Sequence, residues 1–119
     1  MQGNYRYNLN QNSELFGFYC TGISARIPSE DKYLYSDHIY LDVGFGIKPS
    51  NTGMGLGGIF VRSVLEDIKI REGISKYRLS VAGFNIRAIK YYRKIGFSEK
   101  ASFFNLEGNS FILMTKEVL

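Results

Sequence analysis

The chain has 119 residues, of which 45% are hydrophobic and 22% charged, and its formal net charge is +4. That size and balance suit one globular domain over 1–119 and exclude both a disordered chain and a helical membrane span. One cysteine and one histidine leave no internal disulfide and too few ligands for an ordinary zinc site.

The basic residues are spread along the chain rather than gathered in a stripe, which fits an anionic ligand better than a nucleic-acid surface. The first residues, Met1 to Arg6, lack the basic-then-apolar pattern of a secretory signal. With the lone Cys20 inside the apolar run Phe16 to Cys20, where a small core residue is its expected role, the expected location is the cytoplasm.

In chain order, Tyr5 to Leu9 alternates weakly as a first strand, and Gln11 to Glu14 reads as a turn. Leu15 to Ile23 reads as a second strand, and Pro28 to Lys32 as a loop. Tyr40 to Ile47 alternates cleanly. Leu41, Val43, Phe45 and Ile47 share one face, and Asp42, Gly44 and Gly46 share the other. From Met54 to about Glu72 the residues Leu56, Ile59, Phe60, Val64, Leu65 and Ile68 recur at helical spacing, with Gly73 as the C-terminal stop.

Tyr77 to Val81 is a short strand. Asn85 is placed to cap a helix through Ala88, Ile89, Tyr92 and Ile95, which Gly96 ends. Phe97 to Leu106 and Ser110 to Val118 close the chain as strands around a turn at Glu107 to Asn109. The order β-β-β-α-β-α-β-β predicts an α+β fold. Its mixed, mainly antiparallel sheet holds a central parallel βαβ unit with a right-handed crossover.

Four glycines, Gly53, Gly55, Gly57 and Gly58, fall between the third strand and the first helix. Glycines there let the backbone turn tightly and approach a ligand closely, and the helix start offers unpaired N–H groups and a positive dipole end. Together these form an anion site, most often for phosphate. Gly53-x-Gly55-x-x-Gly58 also fits the dinucleotide fingerprint, but the loop Pro49 to Thr52 intervenes and no acid ends the next strand. A P-loop is excluded because no Gly-Lys-Ser/Thr follows the glycines.

Thr52-Gly53-Met54-Gly55-Leu56-Gly57 resembles the pyrophosphate-binding motif Arg/Gln-x-x-Gly-x-Gly/Ala of the GCN5-related N-acetyltransferase (GNAT) family. Asn85 to Phe97 resembles that family's second signature, Asn-x-x-Ala-x-x-x-Tyr-x-x-x-Gly-Phe. Asp42-Val43-Gly44-Phe45-x-Ile47-x-Pro49 is similar to the Glu-Ile-Gly-Tyr strand of the branch that holds the ribosomal-protein N-terminal acetyltransferases. The similarity runs from about Leu15 to the C-terminus.

The resemblance implies an α/β/α GNAT-like domain that transfers acetyl from acetyl-CoA to a primary amine on a small molecule or peptide. The transfer would be direct attack in a ternary complex, with no metal. It places the pyrophosphate on the backbone of Thr52, Gly53, Met54, Gly55, Leu56, Gly57 and Gly58. It lays the pantetheine arm along Phe45, Gly46 and Ile47, where a backbone N–H would polarise the thioester carbonyl. Gly44 and Gly46 are expected to leave that strand face bare. Tyr92 matches the tyrosine that protonates the departing thiolate, with a core aromatic as its other role. Asn85 matches the asparagine that contacts cofactor or backbone, and a plain N-cap would look the same.

Asp42 is the candidate general base, with a satisfied strand carboxylate as the alternative. His38 has a suitable intrinsic pKa but sits in an expected loop or strand edge. Arg87, Lys90, Arg93 and Lys94 either reach the adenosine phosphates or form a solvated face. Tyr91 faces elsewhere.

Thr52 stands where the family has Arg or Gln, and Met54 where a basic residue is usual, so binding is expected to rest on backbone contacts. The family pattern also has a strand and two helices before the region where this sequence begins. Their expected absence leaves a shortened domain, open to homodimerisation. The competing reading is a GNAT-like module that binds CoA or a partner chain without turnover.

Overall fold

The computed structural model describes residues 4–9, 15–47 and 56–117. Six strands, β1 (Asn4–Leu9), β2 (Leu15–Thr21), β3 (Leu41–Ile47), β4 (Lys76–Ala82), β5 (Ser98–Phe104) and β6 (Ser110–Glu117), form one sheet in the order β1-β2-β3-β4-β6-β5. Among the described residues only β3 and β4 run parallel, joined through helix α1 (Leu56–Glu72). The second helix, α2 (Ile86–Lys94), joins β4 to β5. The mixed α+β arrangement and the central parallel unit are those expected.

Strand ends differ from expectation where local chemistry intervenes. β2 stops at Thr21 because Gly22, at φ +76°, turns the chain into a 3₁₀ turn, Gly22–Ala25. β5 stops at Phe104 because the Asn105 side chain accepts the N–H groups of Glu107 and Asn109, at 3.0 and 2.8 Å, and folds the hairpin loop on itself.

Both helices contribute to one core against one sheet face. Phe60, Val61, Val64, Leu65 and Ile68 of α1 and Ile89 of α2 pack with Tyr19, Val43, Tyr77, Leu79, Val81 and Met114. Ile59, expected on the buried stripe, is 63% exposed, and Val61 takes its place in the core. Tyr77 is fully buried, and its hydroxyl donates to the carbonyls of Leu65 and Ile74, tying β4 to α1 and its exit loop.

Helix ends are closed as their sequences require. Gly73 (φ +70°) donates its N–H to Lys69 O at 2.9 Å beyond α1. After α2, Gly96 (φ +108°) bonds Arg93 O and Phe97 bonds Tyr92 O at 2.8 Å, a Schellman closure. The Lys116 ammonium also donates to Ile95 O at that helix end.

Candidate functional site

β3 keeps its antiparallel register with β2 as far as Gly17↔Ile47, and β4 keeps its register with β6 as far as Ala82↔Phe111. The parallel register between β3 and β4 spans only Leu41↔Tyr77 and Asp42↔Arg78. Beyond that point no register pair joins the two central strands, which defines a cleft between residues 43–47 and 79–82. The polar backbone edge of β3 therefore faces a gap in the middle of the sheet.

Two of the expected site residues, Phe45 and Tyr92, meet on the helix side of this cleft. Phe45 projects from the parted stretch of β3 and lies edge-on to Phe60 of α1, with ring centroids 6.3 Å apart. Tyr92 of α2 packs beside it at 6.3 Å and against Phe97 at 5.7 Å. Burial pushes the Tyr92 phenol from its ordinary 10.0 up to about 12, so it holds its proton throughout the neutral range. Asn85 caps α2, its side-chain oxygen accepting the Ala88 N–H at 3.1 Å. Asn85→Ala is expected to cost about 1 kcal/mol in urea unfolding. A further loss of acetyl-CoA affinity by titration would show that the same residue also serves the ligand.

Leu56, Gly57 and Gly58 form the first turn of α1, which contains no acidic side chain. A helix start of this kind presents free N–H groups and a positive end. Ile47 is the last residue of β3. Thr52, Gly53, Met54 and Gly55 lie outside the described residues.

The expected bare glycine face of β3 is filled. A side-chain carbon at Gly46 would collide with the Phe18 ring, its register partner's side chain, and one at Gly44 would meet Cys20 Sγ at 3.1 Å and Ala25 Cβ at 3.6 Å. The glycines make room for neighbouring groups of the same fold, so a ligand would approach β3 along its edge rather than its face. Cys20 is buried there, and burial raises its thiol pKa against the opposing bond from the Gly44 backbone.

Asp42 lies on that same face, as its parity predicts, but its surroundings speak against the expected base role. It is 3% exposed. Its Oδ1 accepts Arg78 Nε at 2.6 Å, and its Oδ2 accepts Arg78 Nη2 at 3.0 Å and Arg26 Nε at 2.8 Å. Buried and with both oxygens engaged by guanidinium groups, the carboxylate is held in an ion-pair network rather than presented to an incoming amine. His38 is exposed in the turn before β3.

Sequence reasoning missed the cluster built on Arg78. Its guanidinium also donates to the carbonyls of Asp37 at 3.0 Å and Tyr35 at 3.3 Å, and stacks over the rings of Tyr35 and Tyr40. Arg26 stacks on the Tyr35 ring too. The Tyr35 hydroxyl accepts from Ile27 N at 3.0 Å and shares a 2.6 Å bond with Ser80 of β4. The signal was a lone Arg and a lone Asp, each in the apolar setting of an inner strand.

On the outer side of α2, Arg87, Lys90 and Lys94 line a groove of about 460 Å³ with Ile86 and Tyr91. Arg93 instead pairs with Glu99 at 2.7 Å. Among the described residues no group of His, Cys, Asp and Glu is placed to hold a metal, and no helix is long and apolar enough to cross a membrane.

The sequence profile of the Acetyltransferase (GNAT) family matches residues 3–97. A search of the curated proteins found no match. Among solved structures, a mutant of the spermidine N-acetyltransferase SpeG from Vibrio cholerae superposes with a TM-score of 0.74 at 18% identity. That match covers 97% of this chain and 65% of the other. A chimera of the Vibrio cholerae enzyme with hSSAT gives a TM-score of 0.74 at 19% identity, covering 97% and 69%. At such identities the likeness is one of fold, and the chain spans about two-thirds of the length of these structures.

Proposed function

The chain belongs to the acetyltransferase (GNAT) family, and on that premise we propose that it transfers an acetyl group from acetyl-CoA to a primary amine. The observation that carries this reading is the parting of β3 from β4 after Asp42↔Arg78. An extended, amide-bearing pantetheine arm needs a free strand edge on which to pair, and residues 43–47 offer one.

The arm is assigned to Phe45, Gly46 and Ile47. The pyrophosphate is assigned to the backbone of Thr52, Gly53, Met54, Gly55, Leu56, Gly57 and Gly58, and the phosphorylated adenosine to the basic groove of Arg87, Lys90 and Lys94. Acetyl-CoA supplies an activated acyl group with a thiolate leaving group. The amine nitrogen attacks the thioester carbonyl, the carbon–sulfur bond breaks with its electron pair moving to sulfur, and one amine proton ends on the thiol. A backbone N–H of residues 45–47 polarises the carbonyl.

A phenol raised to about 12 is a weaker acid than a thiol of ordinary pKa ~8.5, so complete proton transfer from Tyr92 to the thiolate is uphill. Tyr92 therefore acts by donating a hydrogen bond to the sulfur as charge builds on it, and the acidic ammonium formed by attack supplies the net proton. The base is water or bulk buffer rather than Asp42.

The acceptor class is a small-molecule or peptide amine. The spermidine named for the structural neighbours supports the former, and the resemblance of β3 to the ribosomal-protein branch supports the latter. A cytoplasmic location and a homodimer that completes the acceptor wall belong to the same proposal.

Calorimetric titration with acetyl-CoA and CoA, followed by thiol release against a panel of polyamines, amino compounds and peptide N-termini, tests it. Saturable binding with amine-dependent thiol release is expected. Binding without release across that panel would favour a CoA-binding module without turnover, and absence of binding would sink both readings.

A further inference from the structure

We propose that Asp42, Arg78 and Arg26 are positioning residues that rivet β3 to β4 at the point where the strands part, and so hold the cleft open. Its consequence for the ligand rests on the acetyl-CoA reading. The rivet itself rests on geometry alone.

The last parallel register pair, Asp42↔Arg78, is also a buried two-point ion pair, with both side chains 3% exposed. Its third member, Arg26, comes from the segment that leads to β3 over the second sheet face. That segment is fastened to both strands. Arg26 holds Asp42 on β3, while Tyr35 bonds Ser80 and accepts a guanidinium N–H from Arg78 on β4.

Beyond the pair nothing in the residues themselves forbids further pairing. Val43, Phe45 and Ile47 on one strand and Val81 on the other are strand-favouring, and the intervening Gly44 and Gly46 keep the backbone N–H and C=O groups a ladder needs. Two parallel strands with such sequences, each already paired on its outer side, would be expected to zip together. A buried ion pair contributes little net stability compared with an apolar pair of similar volume, and the best-attested use of such pairs is to fix register. Here the register fixed is the one that ends the parallel ladder.

The test is the double variant Asp42→Leu/Arg78→Met, which replaces the pair with apolar groups. Arg26 is 34% exposed and can turn to water. The folded double variant is expected to zip further. Amide hydrogen exchange at residues 43–47 and 79–82 should slow by about tenfold while the helices are unchanged. KM for acetyl-CoA should rise about tenfold with kcat nearly kept. Unchanged exchange in the cleft of a folded variant overturns the proposal, as does a uniform acceleration across the molecule, which would mark general loosening.

If the double variant does not fold, Arg26→Met decides. A change in exchange confined to residues 43–47 and 79–82 supports the rivet, and no change overturns it. Should the native protein bind no acetyl-CoA, the donor reading fails, and the exchange measurement still judges the rivet.

Discussion

Arg78→Met alone lowers the free energy of unfolding by about 3–5 kcal/mol, the usual effect of leaving a buried charge without its partner. The side chain is buried and donates four hydrogen bonds, two to Asp42 and one each to the carbonyls of Asp37 and Tyr35. Methionine fills much of the volume and supplies none of them. Asp42 then keeps only Arg26, and two part-buried carbonyls lose donors.

The surface pair Arg93–Glu99 has a comparable distance of 2.7 Å, yet its side chains are 54% and 43% exposed. Arg93→Ala should therefore cost no more than about 1 kcal/mol. Arg78→Lys is not conservative here either, because a point-charge ammonium cannot reproduce the planar two-point contact. Urea unfolding of the three variants checks the ordering. A cost for Arg78→Met no greater than that for Arg93→Ala would remove the buried triad from any account of this fold.

That triad also marks the boundary of what the sequence makes legible. Element types were readable because alternation along Leu41 to Ile47 and helical spacing from Phe60 to Ile68 are local patterns. So were the glycine stops, Gly73 and Gly96, whose positive φ values only glycine adopts without strain. The parity of Asp42 was readable for the same reason. Its partner was not, because Arg78 lies 36 residues away and meets it only through the register of a parallel pair.

The filled glycine face was hidden likewise. Phe18 covers Gly46 through the β2–β3 register, which a one-residue slip would have reversed. The parting of the central strands has no local signature at all. It begins after the register pair Asp42↔Arg78, whose members only the fold brings together.

Tyr92→Phe should lower kcat by about ten- to a hundredfold while leaving the affinity for acetyl-CoA almost unchanged, since the lost contact is a hydrogen bond to a charge that exists only as the thiolate departs. The ring itself packs on Phe45 and Phe97 and on the core, and phenylalanine preserves that packing, so the fold should survive.

The pH dependence gives an independent check. Burial raises the folded-state pKa above the unfolded one, so the stability linked to the neutral phenol is fully present below pH 10.0 and is lost as pH rises toward about 12. Tyr92 should therefore put no alkaline limb on the rate profile in the neutral range, and the profiles of the native protein and Tyr92→Phe should be parallel there, displaced by a constant factor. Weaker leaving groups sharpen the test. An acyl donor with a more basic thiolate should suffer more from the substitution, because the hydrogen bond then stabilises more developing charge. A Tyr92→Phe variant with native kcat would return this side chain to the aromatic core and leave the leaving group to solvent.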